Sequence, residues 1–559
     1  MVMAALVVAE KPSVARTIRY AVRPPRVLAL RGHFLELDFP SEYSKWRSVD
    51  PERLFSAPVT WVAMDRRAYS ELAKAVKGAG EVVVATDNDP EGELIGYEVL
   101  LAARRVLGRE PPLKRMRFNA ATPAELRRAW ASLEPGLNWR WVWKALFRHR
   151  FDLATGAAYT RLLTLSGKLN GEGKLVSWGS CQAPTLWFVY KREMEIRSFK
   201  PEKYWVVSAV VNAKGVAVKV QAEPMKGEAE ARRLYSQAAK AKEAVVKAFN
   251  IENGAVNKPL PTDTDAMLQE LSRIYGLSGS KAMAIAEDLY AEGFISYPRT
   301  ETNAWVGVDH RQVLGMLLKT PLAPLVNLSD YSPRSGKRND GAHPPIHPTA
   351  PYTGKDLKAK VWEYVARRYL ANVVGRDAKL KKWSLSVSLN SVPMAVANRY
   401  LVDRGFYAIF PYFEPKDTLQ IPQLRVGEAL PVLKVELEEK QTKPPPRLTE
   451  AELLKLLKKH GIGTDATRAD YPHIIVERGY ALKKGKAFYL TDLGEKLMRL
   501  LEDADSRLAT PQTRRYVEEL MAEIEQGKRS VDDALKESLS IYQNLYKSVA
   551  KRLDYPFKG

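Results

Sequence analysis

One cysteine, Cys181, stands among 559 residues. That excludes a disulfide framework and a cysteine-rich zinc ribbon within these residues, and it fits a reducing compartment. No apolar run approaches the ~20 residues that a bilayer span requires. The first residues, MVMAALVVAEKPS, reach charge too early for a secretory leader, so a soluble intracellular chain with no membrane partner is expected. Histidine is scarce, with seven in the chain. There is no Walker A loop: GKLNGEGKL comes nearest, but it lacks Ser or Thr after Gly-Lys and no strand leads into it. Internal repeats and low-complexity tracts are missing as well.

Acidic residues are in deficit. Lysine plus arginine number 87 against 65 aspartate plus glutamate, a formal charge of +22. Such an excess points to a polyanion, because neutralising phosphates with Lys and Arg releases counterions. The bland alternative is a thermophilic solvated surface, but those surfaces usually balance their signs. The length calls for several domains, while 45% hydrophobic and 27% charged residues are ordinary for a globular chain.

Up to about residue 140, strands alternate with helices. The apolar run 4–9 precedes KPSVARTIRYAV, and the run 81–85 precedes GELIGYEVLLAARRVL, both with helical character. This predicts a mainly parallel α/β sheet with its site at the carboxyl ends of the strands. From 141 to 169 the pattern turns helical, with Val142, Leu146 and Phe147 on one face. Runs 204–211 and 216–220 read as strands, and Trp383, Leu385, Val387 and Leu389 alternate with polar residues. The economical division is 1–140 as the α/β domain, 141–200 with 446–559 as a helical domain, 201–258 with 382–445 as a β-rich domain, and 259–381 as a helical block inserted into it. KPPPR at 443–447 is a stiff linker.

Two constellations carry chemistry. In TDNDPEGE, after the run 81–85, Asp87, Asp89 and Glu91 fall at i, i+2 and i+4, and Glu10 ends the first strand. Carboxylates crowded this way are costly unless a cation lies among them, and hard oxygen ligands suit Mg²⁺. The structural alternative is a capped, solvated turn before a helix. The arrangement resembles the Toprim domain of topoisomerases, bacterial primases and some nucleases. That resemblance makes Lys11 a phosphate-contacting or proton-donating residue.

The second is LYAEGFISYPRTETN, with Tyr297, Pro298 and Arg299. A phenol (pKa about 10) forms its anion more readily than an alcohol, so a phosphotyrosyl bond is readily re-attacked. Arg299 is placed to clamp a phosphate bidentately. Alone, Tyr-Pro in a loop is more often structural. GAHPPIHPTAP adds His343 and His347; the pair suggests zinc, but no third or fourth ligand lies nearby in sequence, so a phosphate-contacting imidazole at His343 is preferred.

Together, and in this order, these motifs resemble type IA DNA topoisomerases, most of all the topoisomerase III of archaea and eukaryotes. RGHFLELDFP, FDLATGAAYTR, SWGSCQAPTL and HGIGTDATRA extend the likeness along nearly the whole chain. It implies a multidomain α/β plus mainly α protein: an N-terminal Toprim (Rossmann-like) domain, with helical and β domains closing a toroid. Tyr297 would be the nucleophile holding a 5′ phosphate. Glu10, Asp87, Asp89 and Glu91 would be the acidic cluster, with Asp87 and Asp89 foremost as Mg²⁺ ligands. Lys11, Arg299 and His343 would surround the scissile phosphate. Thr464, Asp465, Thr467 and Arg468 would lie near a single-strand groove, and Arg161, Ser177 and Gln182 would line it. The cofactor would be Mg²⁺, with no ATP and no zinc.

The chain departs from many relatives in having no four-cysteine ribbon, and from bacterial forms in having Ser180 and His347 where arginine is usual. The implied activity is ATP-independent relaxation and decatenation through single-strand passage, by a monomer acting on single-stranded and negatively supercoiled DNA. A RecQ-type helicase partner is implied by the family alone, and a cytoplasmic, nucleoid-associated, archaeal setting is expected. A Toprim nuclease or primase shares the acidic cluster but has no use for the tyrosine motif. A non-catalytic single-strand-binding protein fits the basic and aromatic residues but not the intact Glu10, Asp87, Asp89, Glu91, Tyr297 and Arg299.

Overall fold

The strand Ala5–Ala9 pairs in parallel with Arg26–Ala29 on one side and Glu81–Ala85 on the other; Leu113–Arg115 follows in parallel and Glu134–Pro135 closes the edge antiparallel. In this computed structural model, residues 5–555 are described except Pro25, Ser48, Asp417 and Ala466. Ala4 of the expected first strand and Ala466 of the HGIGTDATRA motif therefore lie outside the described residues. The two central strands read as unbroken apolar runs because both sheet faces are covered. Val7 and Val83 enter one hydrophobic cluster, while Leu6, Val8 and Val82 enter another.

The first of those clusters positions the site. It runs from the sheet into helices Thr264–Tyr275, Gly279–Ala291 and Leu357–Val373, and it includes Met267, Leu289, Tyr290, Tyr297 and Tyr364. The tyrosine-bearing block is thus packed on the α/β sheet through a shared core. At about 25 cal/mol per Å² of buried apolar area, such a shared core favours one fixed arrangement. The register Ala9↔Ala85 places Glu10 level with Thr86 at the carboxyl ends of neighbouring strands.

Six strands form a closed barrel in the order Glu243–Val256, Ala378–Leu389, Val392–Asp403, Val216–Gln221, Lys203–Ala213, Ala429–Gln441. The alternation at Trp383, Leu385, Val387 and Leu389 is the inward face of that barrel. The strand begins at Ala378, four residues before the expected β boundary at 382, because Ala378 to Lys381 continue the ladder with Asn253 to Val256. Closure removes both sheet edges.

A third core joins Trp139–Leu165 and Gln182–Ser198 to the late helices Glu450–Lys459, Asp492–Asp505, Pro511–Glu525 and Val531–Arg552. Phe151 and Tyr159 from the first helix meet Tyr542 and Tyr546 from the last, and Phe147 stacks on Phe151. Among the described residues, no helix is long and apolar enough to cross a membrane.

Candidate active site

The TDNDPEGE turn is held from behind. Asp89 caps helix Pro90–Leu107, its Oδ1 accepting from the Gly92 amide at 2.7 Å, and Pro90 opens the first turn. Gly92 is required: a Cβ there would lie 2.0 Å from the Asp87 carbonyl oxygen. Arg115, fully buried, donates to the carbonyls of Thr86 (3.0 Å) and Asp87 (2.7 Å) and to Glu93 (2.8 Å). The loop backbone is thereby fixed from the sheet interior.

On that scaffold Glu10, Asp87 and Asp89 come together. Glu10 Oε2 accepts from the Asp87 amide at 2.9 Å, and Lys11 Nζ donates to Asp87 Oδ2 at 2.7 Å while lying 3.8 Å from Glu10 Oε1. Burial, and then the charge of Asp87, lift the Glu10 carboxyl to about 8, with Lys11 opposing. Asp87 is raised mainly by burial, and the Lys11 ammonium is held above its usual value because its carboxylate neighbours outweigh burial. One lysine therefore does not offset the burial and crowding of Glu10 and Asp87. The all-oxygen donors and unbalanced negative charge fit a hard divalent cation such as Mg²⁺.

Tyr297 arrives from the facing block. Its amide donates to the Asn119 carbonyl at 2.8 Å, and its hydroxyl donates to Asp89 Oδ2. Tyr290 donates to Asp87 Oδ1 at 3.2 Å, and its ring meets Tyr297 edge-on at 5.0 Å. Tyr297 is only 2% exposed. Burial, followed by Asp89 and Asp87, pushes its phenol well above 10, with Arg299 opposing. The ring of His343 lies 4.8 Å from that of Tyr297. Its Nδ1 faces Asp340 Oδ2 at 3.2 Å, and that hydrogen bond outweighs burial and raises the imidazole pKa. Among the described residues, His343 Nε2 is buried with no hydrogen-bond partner.

A cavity of 310 Å³ opens on this assembly, lined by Asp89, Arg299, His343, Arg148, Thr464 and Asp465 among others. Arg299 is buttressed by Glu287 at 2.6 Å. Thr464 Oγ1 is likewise buried with no hydrogen-bond partner among the described residues. Asp465 is raised to about 6 by burial and then Glu301, against the pull of His343.

The expected residues do not all converge. Glu91 turns away from the acidic cluster: its oxygens meet Arg148 (2.8 Å), His149 (2.9 Å) and His33 (3.2 Å). The Arg148 charge and the hydrogen bonds with His149 and His33 together outweigh burial and hold its carboxyl well below the usual range. Arg468, expected near the groove, is 4% exposed and spent internally on Asp265 (2.7 Å) and the carbonyls of Ile462 and Gly463. It shapes the loop, as does Thr467, whose Oγ1 accepts from the Thr464 amide at 3.2 Å. Ser177 and Gln182 form their own cluster, with Gln182 Nε2 donating to the Ser177 carbonyl at 3.2 Å and Tyr480 donating to the same carbonyl at 2.6 Å. Arg161 donates to the Tyr43 carbonyl at 2.7 Å and lies over Trp46. None of these three lines the cavity. His347 is buried, its Nδ1 against the Pro345 carbonyl at 2.8 Å.

Sequence reading passed over Tyr290, Arg148, His149, Asp340, Trp141 and Lys144. Tyr290 lay inside the LYAEGFISYPRTETN motif and Arg148 just before FDLATGAAYTR, so the signal was adjacent. The Trp141 indole and Lys144 ammonium grip Glu525 at 2.9 and 2.6 Å, a contact 381 or more residues apart that no local pattern displays.

Residues 136–536 match the family described as DNA topoisomerase, and residues 5–121 match the Toprim domain. The chain is 31% identical over 584 residues to DNA topoisomerase 1 of Archaeoglobus fulgidus, covering 99% of this chain and 85% of that protein. It is 33% identical over 599 residues to human DNA topoisomerase 3-beta-1, covering 97% and 68%. For DNA topoisomerase 1 of Thermoplasma acidophilum the identity is 32% over 520 residues, covering 92% of this chain and 66% of that protein. Among solved structures, full-length topoisomerase I from Thermotoga maritima aligns with a TM-score of 0.78 at 25% identity, over 97% of this chain and 90% of that one.

Proposed function

The chain belongs to the type IA DNA topoisomerase family, with a likeness to topoisomerase III, and from that membership we propose that Tyr297 cuts one DNA strand and holds its 5′ phosphate. The observation that carries this reading is the hydrogen bond from the Tyr297 hydroxyl to Asp89, a tyrosine of one domain engaged by a carboxylate of another. The phenol is held far from ionisation by burial, so it needs a base at the moment of attack, and Asp89 is its acceptor. Attack of the phenol oxygen on the scissile phosphorus transfers the phenol proton to Asp89 and expels the 3′ oxygen. The protonated Lys11, beside Glu10 and Asp87, supplies the proton that this oxygen takes up. Arg299, Arg148 and His343 bracket the cavity where the phosphate would sit. Reversal by the 3′ hydroxyl reseals the strand, and the phosphotyrosyl bond stores the energy, so ATP is not required.

Glu10, Asp87 and Asp89 would hold Mg²⁺, which when bound neutralises charge around the phosphate. Thr464 and Asp465 lie where a strand would approach the cavity. Arg161, Ser177 and Gln182 sit outside it, consistent with a more distant part of a groove or with structure alone. The sheet with its helices, the barrel, the tyrosine-bearing block and the late helices would form a ring that opens after cleavage to pass a strand, relaxing negative supercoils and unlinking DNA. A monomer working on nucleoid DNA, with a RecQ-type helicase as partner, completes the proposal by family likeness.

The test uses single-stranded DNA labelled at either end, with Mg²⁺ and detergent denaturation. Protein attached to the 5′ phosphate in wild type and absent in Tyr297→Phe supports the reading. Free cut ends would instead indicate a nuclease, and no cutting a binding protein. Chelation of divalent metal is expected to abolish cutting; unchanged cutting would remove the acidic cluster from the mechanism.

A further inference from the structure

Glu91 stands two residues beyond Asp89 yet belongs to another constellation. Its Oε2 lies 2.9 Å from Nε2 of His149 and 3.2 Å from Nε2 of His33. One ligand atom from each of these three residues lies within 4.8 Å of the others, and among the described residues no other three His, Cys, Asp or Glu side chains gather so closely. We propose that His33, Glu91 and His149 bind a nitrogen-preferring divalent transition-metal ion of the zinc class, at a site distinct from the all-oxygen cluster of Glu10, Asp87 and Asp89.

The donor chemistry separates the two places. Two imidazoles and one carboxylate, with room for water, suit Zn²⁺ and its neighbours, whereas carboxylates alone suit Mg²⁺. The surroundings hold the donors in place. His33 Nδ1 faces Oε1 of Glu98, a fully buried residue whose Oε2 accepts from the amides of Phe34 (3.0 Å) and Leu35 (2.9 Å). A fixed carboxylate on one ring nitrogen orients the other as a ligand, as behind metal-bound histidines generally. Arg148 occupies Oε1 of Glu91 at 2.8 Å and so leaves Oε2 as the single donor between the imidazoles. Once an ion has displaced the ring protons, Glu91 and Glu98 against Arg148 leave one net negative charge, which favours a dication.

Access is open. His33 and His149 are 26% and 29% exposed at their side chains, and Glu91 lines the cavity. The plain alternative is that protonated histidines merely neutralise Glu91. The ligands come from a loop at 33, from helix Pro90–Leu107 and from helix Trp139–Leu165. A bound ion would tie the α/β domain to the helical one, so it should raise the thermal midpoint as any ligand of the folded state does. The expectation of no zinc rested on a missing cysteine ribbon and a lone His343/His347 pair, and this site is spread over more than a hundred residues.

Metal-stripped full-length protein is titrated with Zn²⁺ against a chromophoric chelator, in millimolar Mg²⁺. Wild type should take up one ion and gain thermal stability. His149→Ala and His33→Gln should each lose about 100-fold or more in affinity, while His460→Ala, a remote histidine, should not. Co²⁺ in place of Zn²⁺ should give visible absorption in wild type and not in the two site variants. No Zn²⁺ uptake by wild type, displacement by Mg²⁺, or equal affinity in His149→Ala and His33→Gln would overturn the proposal.

Discussion

Two carboxylate neighbourhoods lie on either side of Pro90. On one side Glu10, Asp87 and Asp89 face one another with Lys11 as their nearby cation, and Glu10 is lifted to about 8 by burial and like charge. On the other side Glu91 is ringed by Arg148, His149 and His33, and its carboxyl is held well below the usual range. The helix explains the divergence. Asp89 is its N-cap, extended and pointing back at the loop, whereas Glu91 is already in the first turn and projects toward helix Trp139–Leu165. One acidic motif thus serves two environments, one in which carboxylates crowd one another and one in which a single carboxylate has an arginine and two imidazoles as partners.

The sharpest way to break this comparison is Asp89→Asn. It removes the carboxylate that takes the Tyr297 proton, and with it one charge of the crowded cluster, so cleavage should fall about 10²–10⁴-fold and the Mg²⁺ dependence should shift. Near-normal cleavage by this variant would leave the cluster without its central role. Next comes Arg115→Met. With the carbonyls of Thr86 and Asp87 and the buried Glu93 deprived of their donor, the folded state should lose about 3–5 kcal/mol, seen as a lower unfolding midpoint; an unmoved midpoint would show that the loop is held otherwise.

A smaller effect is expected from pH. His347 is buried with its pKa lowered to about 4, by desolvation first, and only partly restored by the Pro345 carbonyl. The unfolded chain takes up a proton near the ordinary value of about 6.5 and the folded chain does not. Stability is therefore full above about 6.5 and declines as pH falls toward 4, by up to about 3 kcal/mol. His347→Gln should flatten that slope; an unchanged slope assigns it elsewhere. The smallest effect belongs to Glu91→Gln, expected to change cleavage less than tenfold and to leave the Mg²⁺ midpoint in place. A shift as large as that of Asp89→Asn would merge the two neighbourhoods.

Much of the fold class could be read from local pattern. Buried parallel strands gave unbroken runs at 5–9 and 81–85, and the half-buried strand at 383–389 gave strict alternation, because each pattern reports one or two covered faces. Closure into a six-stranded barrel could not be read, since it depends on pairing between Lys203–Ala213 and Ala429–Gln441, more than two hundred residues apart. In the site, the residues adjacent to motifs were visible as types but not as directions. Glu91 and Asp89 look equivalent in a string, and only the helix start between them sends one away. Arg468 looks like a groove cation, yet Asp265, some two hundred residues earlier, consumes it. His33 lies within RGHFLELDFP and His149 just before FDLATGAAYTR, but neither string shows that the two meet at Glu91, which is a tertiary event.

The most direct test of the central claim is isolation of the covalent species. Wild-type protein is incubated with end-labelled single-stranded DNA and Mg²⁺, denatured and digested, and the modified peptide is sequenced by mass spectrometry. A 5′-phosphonucleotide on Tyr297, with a free 3′ hydroxyl on the other fragment, is the predicted result. An adduct on any other residue, or one joined through a 3′ phosphate, would contradict the account.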